Sequence, residues 1–141
     1  MTPTRARATL AEAAVHALLA GDVLALQPMV SPDVVDHAAE PGQPEGWRGL
    51  RERVMTLCAV LPDGDVTVDV LRVESDTVLV RASFTAVRRV TGPPEPDETA
   101  RPLNAAFVLR FDENSLLCEL WTSSDLAVEE PQEQASRLRV G

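Results

Sequence analysis

The groups able to move protons in this chain are few in kind. All 13 basic residues are Arg, and Lys and Tyr are absent, so no Schiff-base amine and no phenolic acid is on hand. Acid–base work falls to carboxylates and two histidines. His37 follows Asp36 after the extended pair Val34 and Val35, where an imidazole can donate a proton, orient a carboxylate or act as a hydrogen-bonded structural group. Asp125 follows Ser123 and Ser124 just past Trp121. It reads either as a strand-end or helix-cap aspartate, or as a base whose pKa is raised by indole and aliphatic neighbours. Trp47 and Trp121 read as core, or as walls around an apolar substrate. Asn104 alternates with Ala106, Val108 and Arg110 on its strand, where an amide among small residues is a carbonyl binder or a polar edge group. His16 belongs to a polar helix face and is expected in solvent. Cys58 and Cys118 lack CxxC spacing and a companion histidine cluster, so neither a metal site nor a disulfide is indicated. Both are expected to be small core hydrophobes.

The elements that must carry these residues follow from periodicity. From Thr4 to Ala20 the polar residues Arg5, Thr9, Glu12 and His16 recur at helical spacing opposite Leu10, Ala14, Ala17 and Leu18, and Gly21 ends the helix. Asp22 caps a short second helix limited by Pro28, and Ser31-Pro32-Asp33 is expected to turn the chain into Val34 and Val35. After Pro41, Gly42 and Pro44, a third helix presents Trp47, Leu50, Val54, Cys58 and Leu61 on one face, until Pro62-Asp63-Gly64 stops it. The period then changes to two. A strand from Val66 turns at Ser75-Asp76 into a long strand from Thr77 to about Val90. Gly92 to Pro102, with four prolines and no apolar anchor, reads as a mobile loop suited to a lid or a rim. Strands Leu103 to Phe111 and Leu116 to Thr122 are joined by Asp112-Glu113-Asn114-Ser115, and residues 126–141 form a polar, loosely held tail.

Helices followed by strands make an α+β layout in which three N-terminal helices cover one face of a single antiparallel sheet. The strands are apolar on both faces, with Val78, Val80, Ala82 and Phe84 on one side and Leu79 and Val87 on the other. A homodimer across the second face is the expected cover. At 141 residues the chain is expected to be one domain spanning residues 1–141. Its 22 acidic residues give a formal charge of −9, which opposes phosphate-backbone binding, so no nucleic acid is expected. No run approaches the roughly 18 apolar residues of a membrane span, and Glu12 and His16 interrupt the one stretch like a signal peptide. A cytoplasmic protein without membrane partners is expected.

Several stretches taken together resemble the SnoaL-like polyketide cyclases, within the cone-shaped α+β barrel superfamily that includes ketosteroid isomerase and limonene epoxide hydrolase. They are Ser31-Pro-Asp-Val-Val-Asp-His37, Pro41-Gly-Gln43 leading into Glu45-Gly-Trp-Arg48, the Leu61-Pro-Asp63 helix stop, and Glu119-Leu-Trp121 followed by Asp125. In order and spacing they run from about Asp22 to Leu126. The resemblance implies a curved sheet wrapped around the helices, a pocket at the barrel mouth, a homodimer and cofactor-free chemistry on an apolar, polyketide-like small molecule. The family's acid–base aspartate matches Asp125 and its histidine matches His37. Trp47, Trp121, Asn104, Gln43 and Leu120 are the expected substrate-binding residues. The chain departs from the family at Leu120 and Arg88, where histidine is frequent, which thins an aldol-type pocket. The implied activity is a ring-closing cyclase or isomerase with Asp125 as acid or base. Its rivals are an epoxide-opening cyclase or hydrolase pairing Asp125 with Asp36, and a non-catalytic ligand-binding barrel. Arg110 and Arg81 invite comparison with the Asp-Arg-Asp arrangement of limonene epoxide hydrolase, but Asp112 belongs to a turn and does not complete it.

Overall fold

Proline opens helix α1 (Pro3–Ala20), since its missing N–H costs nothing in a first turn, and Gly21 closes it at a φ of +69°, a backbone position glycine takes freely. The computed structural model describes residues 3–60, 66–85 and 102–124. Asp22 caps α2 (Val23–Leu26) by accepting from the Ala25 amide at 3.1 Å, and Pro28 shapes the 3-10 turn Gln27–Met29 that follows. Then come β1 (Val30–Asp36), α3 (Gly46–Val60), β2 (Val66–Glu74), β3 (Thr77–Thr85), β4 (Pro102–Phe111) and β5 (Leu117–Ser124).

The strands form one curved, unclosed sheet in the order β1-β5-β4-β3-β2, so the expected α+β architecture is present. Two tight turns set its hairpin registers. Ser75 takes a φ of +53° between β2 and β3, and between β4 and β5 the Asp112 carboxylate accepts from the amides of Asn114 and Leu116. Two expectations change at the β1 edge. Ser31-Pro32-Asp33 lies within β1 instead of forming a turn, and β1 runs parallel to β5, so the sheet is mixed. An edge strand tolerates Pro32 because its missing N–H can face away from the ladder, and the register shifts between Val30 and Val35.

The core lies between the helices and the inner sheet face. Val78, Val80 and Ala82 of β3, Ala105, Phe107, Leu109 and Phe111 of β4, and Leu117 and Leu120 of β5 meet Ala11, Val15 and Leu18 of α1 and Leu50 and Val54 of α3. Full burial of side chains as large as Leu and Phe contributes roughly 1.5 to 3 kcal/mol each. Cys58 departs from its expected core position: it is exposed, because α1 ends beside it and its thiol donates to the Ala20 carbonyl at 3.6 Å. Cys118 is half-buried, and burial pushes its thiol up in pKa. His16 is exposed. Register places Trp121, Val108 and Leu79 in one row across the outer face, between a row of Glu119 and Arg110 and a row holding Arg81 and Asp69. The expected continuation of β3 to Val90 with Val87 and Arg88, the helix stop at 61–64, the loop from 92 to 101 and the tail from 126 to 141 lie outside the described residues.

Candidate functional site

A cavity of about 540 Å³ opens between the inner sheet face and the helices. Its apolar wall comes from Leu19 of α1, Leu57 of α3, and Ala105 and Phe107 of β4. Arg53 and Thr122 supply polar groups from α3 and β5, while Glu40 and Gln43 stand on the loop after β1 and Glu52 and Thr56 on α3. The volume falls within the range that holds a drug-sized ligand, roughly 300 to 1,000 Å³.

One polar network holds the wall together. The Asp36 side chain is only 3% exposed and sits on the inner side of β1, where its backbone registers with Leu120. Arg53 grips it in two places, Nε to Oδ2 at 2.5 Å and Nη2 to Oδ1 at 3.1 Å. Gln43 Nε2 donates to Oδ2 and the Ala38 amide to Oδ1, each at 3.1 Å. Four donors therefore fill the roughly four acceptor positions of the carboxylate. Gln43 is fixed at its other end too, since its Oε1 accepts from the Glu40 amide at 3.2 Å. Arg53 Nη2 also donates to the Thr122 hydroxyl at 3.2 Å, tying α3 to β5 across the cavity. The bidentate fork fixes the guanidinium in orientation, which a single-point ammonium would not.

A second cluster lies on the opposite sheet face. The His37 ring stacks on Trp121, with centroids 4.4 Å apart and planes 5° from parallel, and its Nε2 donates to Glu119 Oε2 at 2.8 Å. Arg110 donates to Glu119 Oε1, with Nε at 2.7 Å, and its Nη1 lies 3.7 Å from Asp76. The hydrogen bonds from His37 and then Arg110 hold the Glu119 carboxyl below the usual glutamate range, and the bond to Glu119 raises Arg110.

The structure thus separates residues expected to share one cavity. His37 and Trp121 do meet, but on the outer face, because Trp121 follows Leu120 in an extended strand and successive side chains point to opposite sides. Leu120 faces inward and is fully buried in the core, and Trp47 is half-buried at the margin of that core. Asn104 lies on the outer face, where Ser83 donates to its Oδ1 at 3.0 Å. Of the expected binding residues, Gln43 lines the cavity. Asp125 lies outside the described residues. Arg53 was not foreseen. Its signal was a charged residue three positions after Leu50 and four before Leu57, on the apolar stripe of α3. Arg81 pairs with Asp69 at 3.5 Å, outside any aspartate-arginine-aspartate arrangement. Among the described residues no three His, Cys, Asp or Glu side chains are grouped to hold a metal ion, and no helix is long and apolar enough to cross a membrane.

Comparison with known proteins gives one family. Residues 11–120 match the family model of the SnoaL-like domain. No curated protein sequence matches. Among solved structures, TsrD from Streptomyces laurentii is similar at 23% identity, over 84% of this chain and 87% of that one, with a TM-score of 0.59. A candidate polyketide cyclase from Bacillus cereus ATCC 10987 is 21% identical over 79% of this chain and 70% of its own, also at 0.59. A de novo designed protein with a curved β-sheet reaches 0.65 at 15% identity, over 98% of this chain and 99% of that one. At such identities the likeness is one of fold.

Proposed function

Because the chain belongs to the SnoaL-like domain family, we propose that it is a cofactor-independent cyclase or isomerase that closes a ring in an apolar, polyketide-like small molecule, with Asp125 as acid or base. The observation that carries this reading is the 540 Å³ cavity, whose apolar wall surrounds a single fixed polar network. Holding a flexible chain in a reactive conformation is itself a large part of such catalysis, up to roughly 7 to 11 kcal/mol in well-oriented cases.

The alternative epoxide-opening reading needs a second carboxylate free to exchange a proton. Asp36 does not offer one, since all its acceptor positions are taken by Arg53, Gln43 and the Ala38 amide. A homodimer through the outer sheet face belongs to the same proposal, supported by the exposed side chains of Val35 and Trp121 there.

Replacing Asp125 with Asn keeps the side chain's shape and removes its titrating group. With an oligoketide analogue as substrate, Asp125→Asn is expected to lower turnover by about 10² to 10⁴ while circular dichroism stays unchanged. Full activity in that variant would eliminate the acid–base role and leave conformational positioning as the source of rate.

A further inference from the structure

Resting on the cavity reading above, we infer that Arg53 and Thr122 together bind the carbonyl oxygen of the substrate, and that the site takes neutral ketones or esters in preference to carboxylates. The inference begins with what each group has left to give. Arg53 has five N–H donors; Nε and Nη2 are engaged by Asp36 and Thr122, and among the described residues Nη1 has no partner. Thr122 Oγ1 accepts from Arg53, and among the described residues its own hydrogen has no acceptor. Both side chains line the cavity, beside Phe107 and Ala105. Two unspent donors held side by side against an apolar wall match one oxygen with two lone pairs. They would hold it more tightly as charge builds on it in an enolate-like transition state.

The discrimination by charge follows from the surrounding groups. The Arg53 cation is already matched by Asp36, whose side chain is almost wholly buried. Glu40 and Glu52, both exposed, add carboxylates to the cavity lining, and among the described residues neither has a cationic partner there. Among the described residues the opening is net negative, and an anionic ligand would gain no uncompensated cation there. A neutral carbonyl loses nothing at the entrance and gains a charge-assisted hydrogen bond.

Three probes of one shape test this on the full chain: 2-acetylanthracene, 2-ethylanthracene and anthracene-2-carboxylate, with binding read from anthracene fluorescence. The ketone is expected to bind at least about tenfold tighter than the hydrocarbon, the range for a hydrogen bond to a charged group, and tighter than the carboxylate. Arg53→Met alone would strand the buried Asp36 carboxylate, so the double variant Asp36→Asn/Arg53→Met is used, and it should bring ketone and hydrocarbon to equal affinity. Thr122→Val, which leaves the ion pair in place, should cut the ketone's advantage by about two- to tenfold and decides the matter if the double variant does not fold. Equal binding of ketone and hydrocarbon by the native chain, or a ketone advantage unchanged in Thr122→Val, overturns the inference and leaves the apolar cavity standing. A preference for the carboxylate also overturns it. Failure of all three probes to bind removes the cavity reading itself.

Discussion

Glu119 answers to Arg110 of β4 and to His37 from the loop beyond β1, and this fixes the sign of one pH dependence. Its carboxyl is held low by the hydrogen bonds from His37 and Arg110, so its contribution to stability is complete above the ordinary glutamate range, about pH 4.3. That contribution declines as pH falls below this range and is gone beneath the depressed folded value. Urea midpoints for native chain and Glu119→Gln are therefore expected to differ at pH 7 and to draw together as the pH falls below the ordinary glutamate range; a gap that widens below that range would contradict the assignment. At this scale the sequence was only partly readable. Consecutive strand residues cannot line one cavity, so the joint expectation for Leu120 and Trp121 already conflicted with the pleat. The Asp36–Arg53 pair is different, because a contact between a strand and a helix depends on how they dock, which no local pattern encodes.

The seating of α3 on β1 depends on two glycines at its start. Gly46 has a φ of +72°, and a Cβ there would stand 2.4 Å from the Pro32 carbonyl oxygen. At Gly49 the position is tighter, since a Cβ would fall 1.7 Å from the Pro44 carbonyl oxygen and 2.8 Å from its carbon. Backbone cannot yield as a flexible side chain can. Gly49→Ala must push α3 away from the loop that carries Gln43, with an expected loss of about 1 to 3 kcal/mol, read as a lower thermal midpoint. An unchanged midpoint would show that the loop shifts freely. The helices and both hairpins were readable because their signals, caps at Asp22 and turns at Ser75 and Asp112, lie within a few residues of the structure they specify. β1 was not. Its Ser-Pro-Asp opening is turn chemistry, and only pairing with β5, far along the chain, draws it into a strand.

For the whole molecule, the outer sheet face sets the test of assembly. An apolar row containing Trp121 between two charged rows could match its own copy, apolar on apolar and acid on base, across a two-fold axis. Sedimentation at micromolar concentration is expected to give a dimer, and Trp121→Asp a monomer; a monomeric native chain would refute the interface. The parallel pairing of β1 with β5 carries a consequence of another kind, in the order of assembly during synthesis. His37 and Glu119 are 82 residues apart, yet they bond directly. As the chain leaves the ribosome, α1, β1 and α3 emerge long before the strand that completes the sheet beside them, so Asp36 and Arg53 can meet while the Thr122 end of their network is still unmade. Such a non-local closure slows folding and prolongs exposure of a half-built apolar face. The cavity wall is therefore among the last parts of the molecule to exist, and the nascent chain has no binding site to offer until its final described strand has docked.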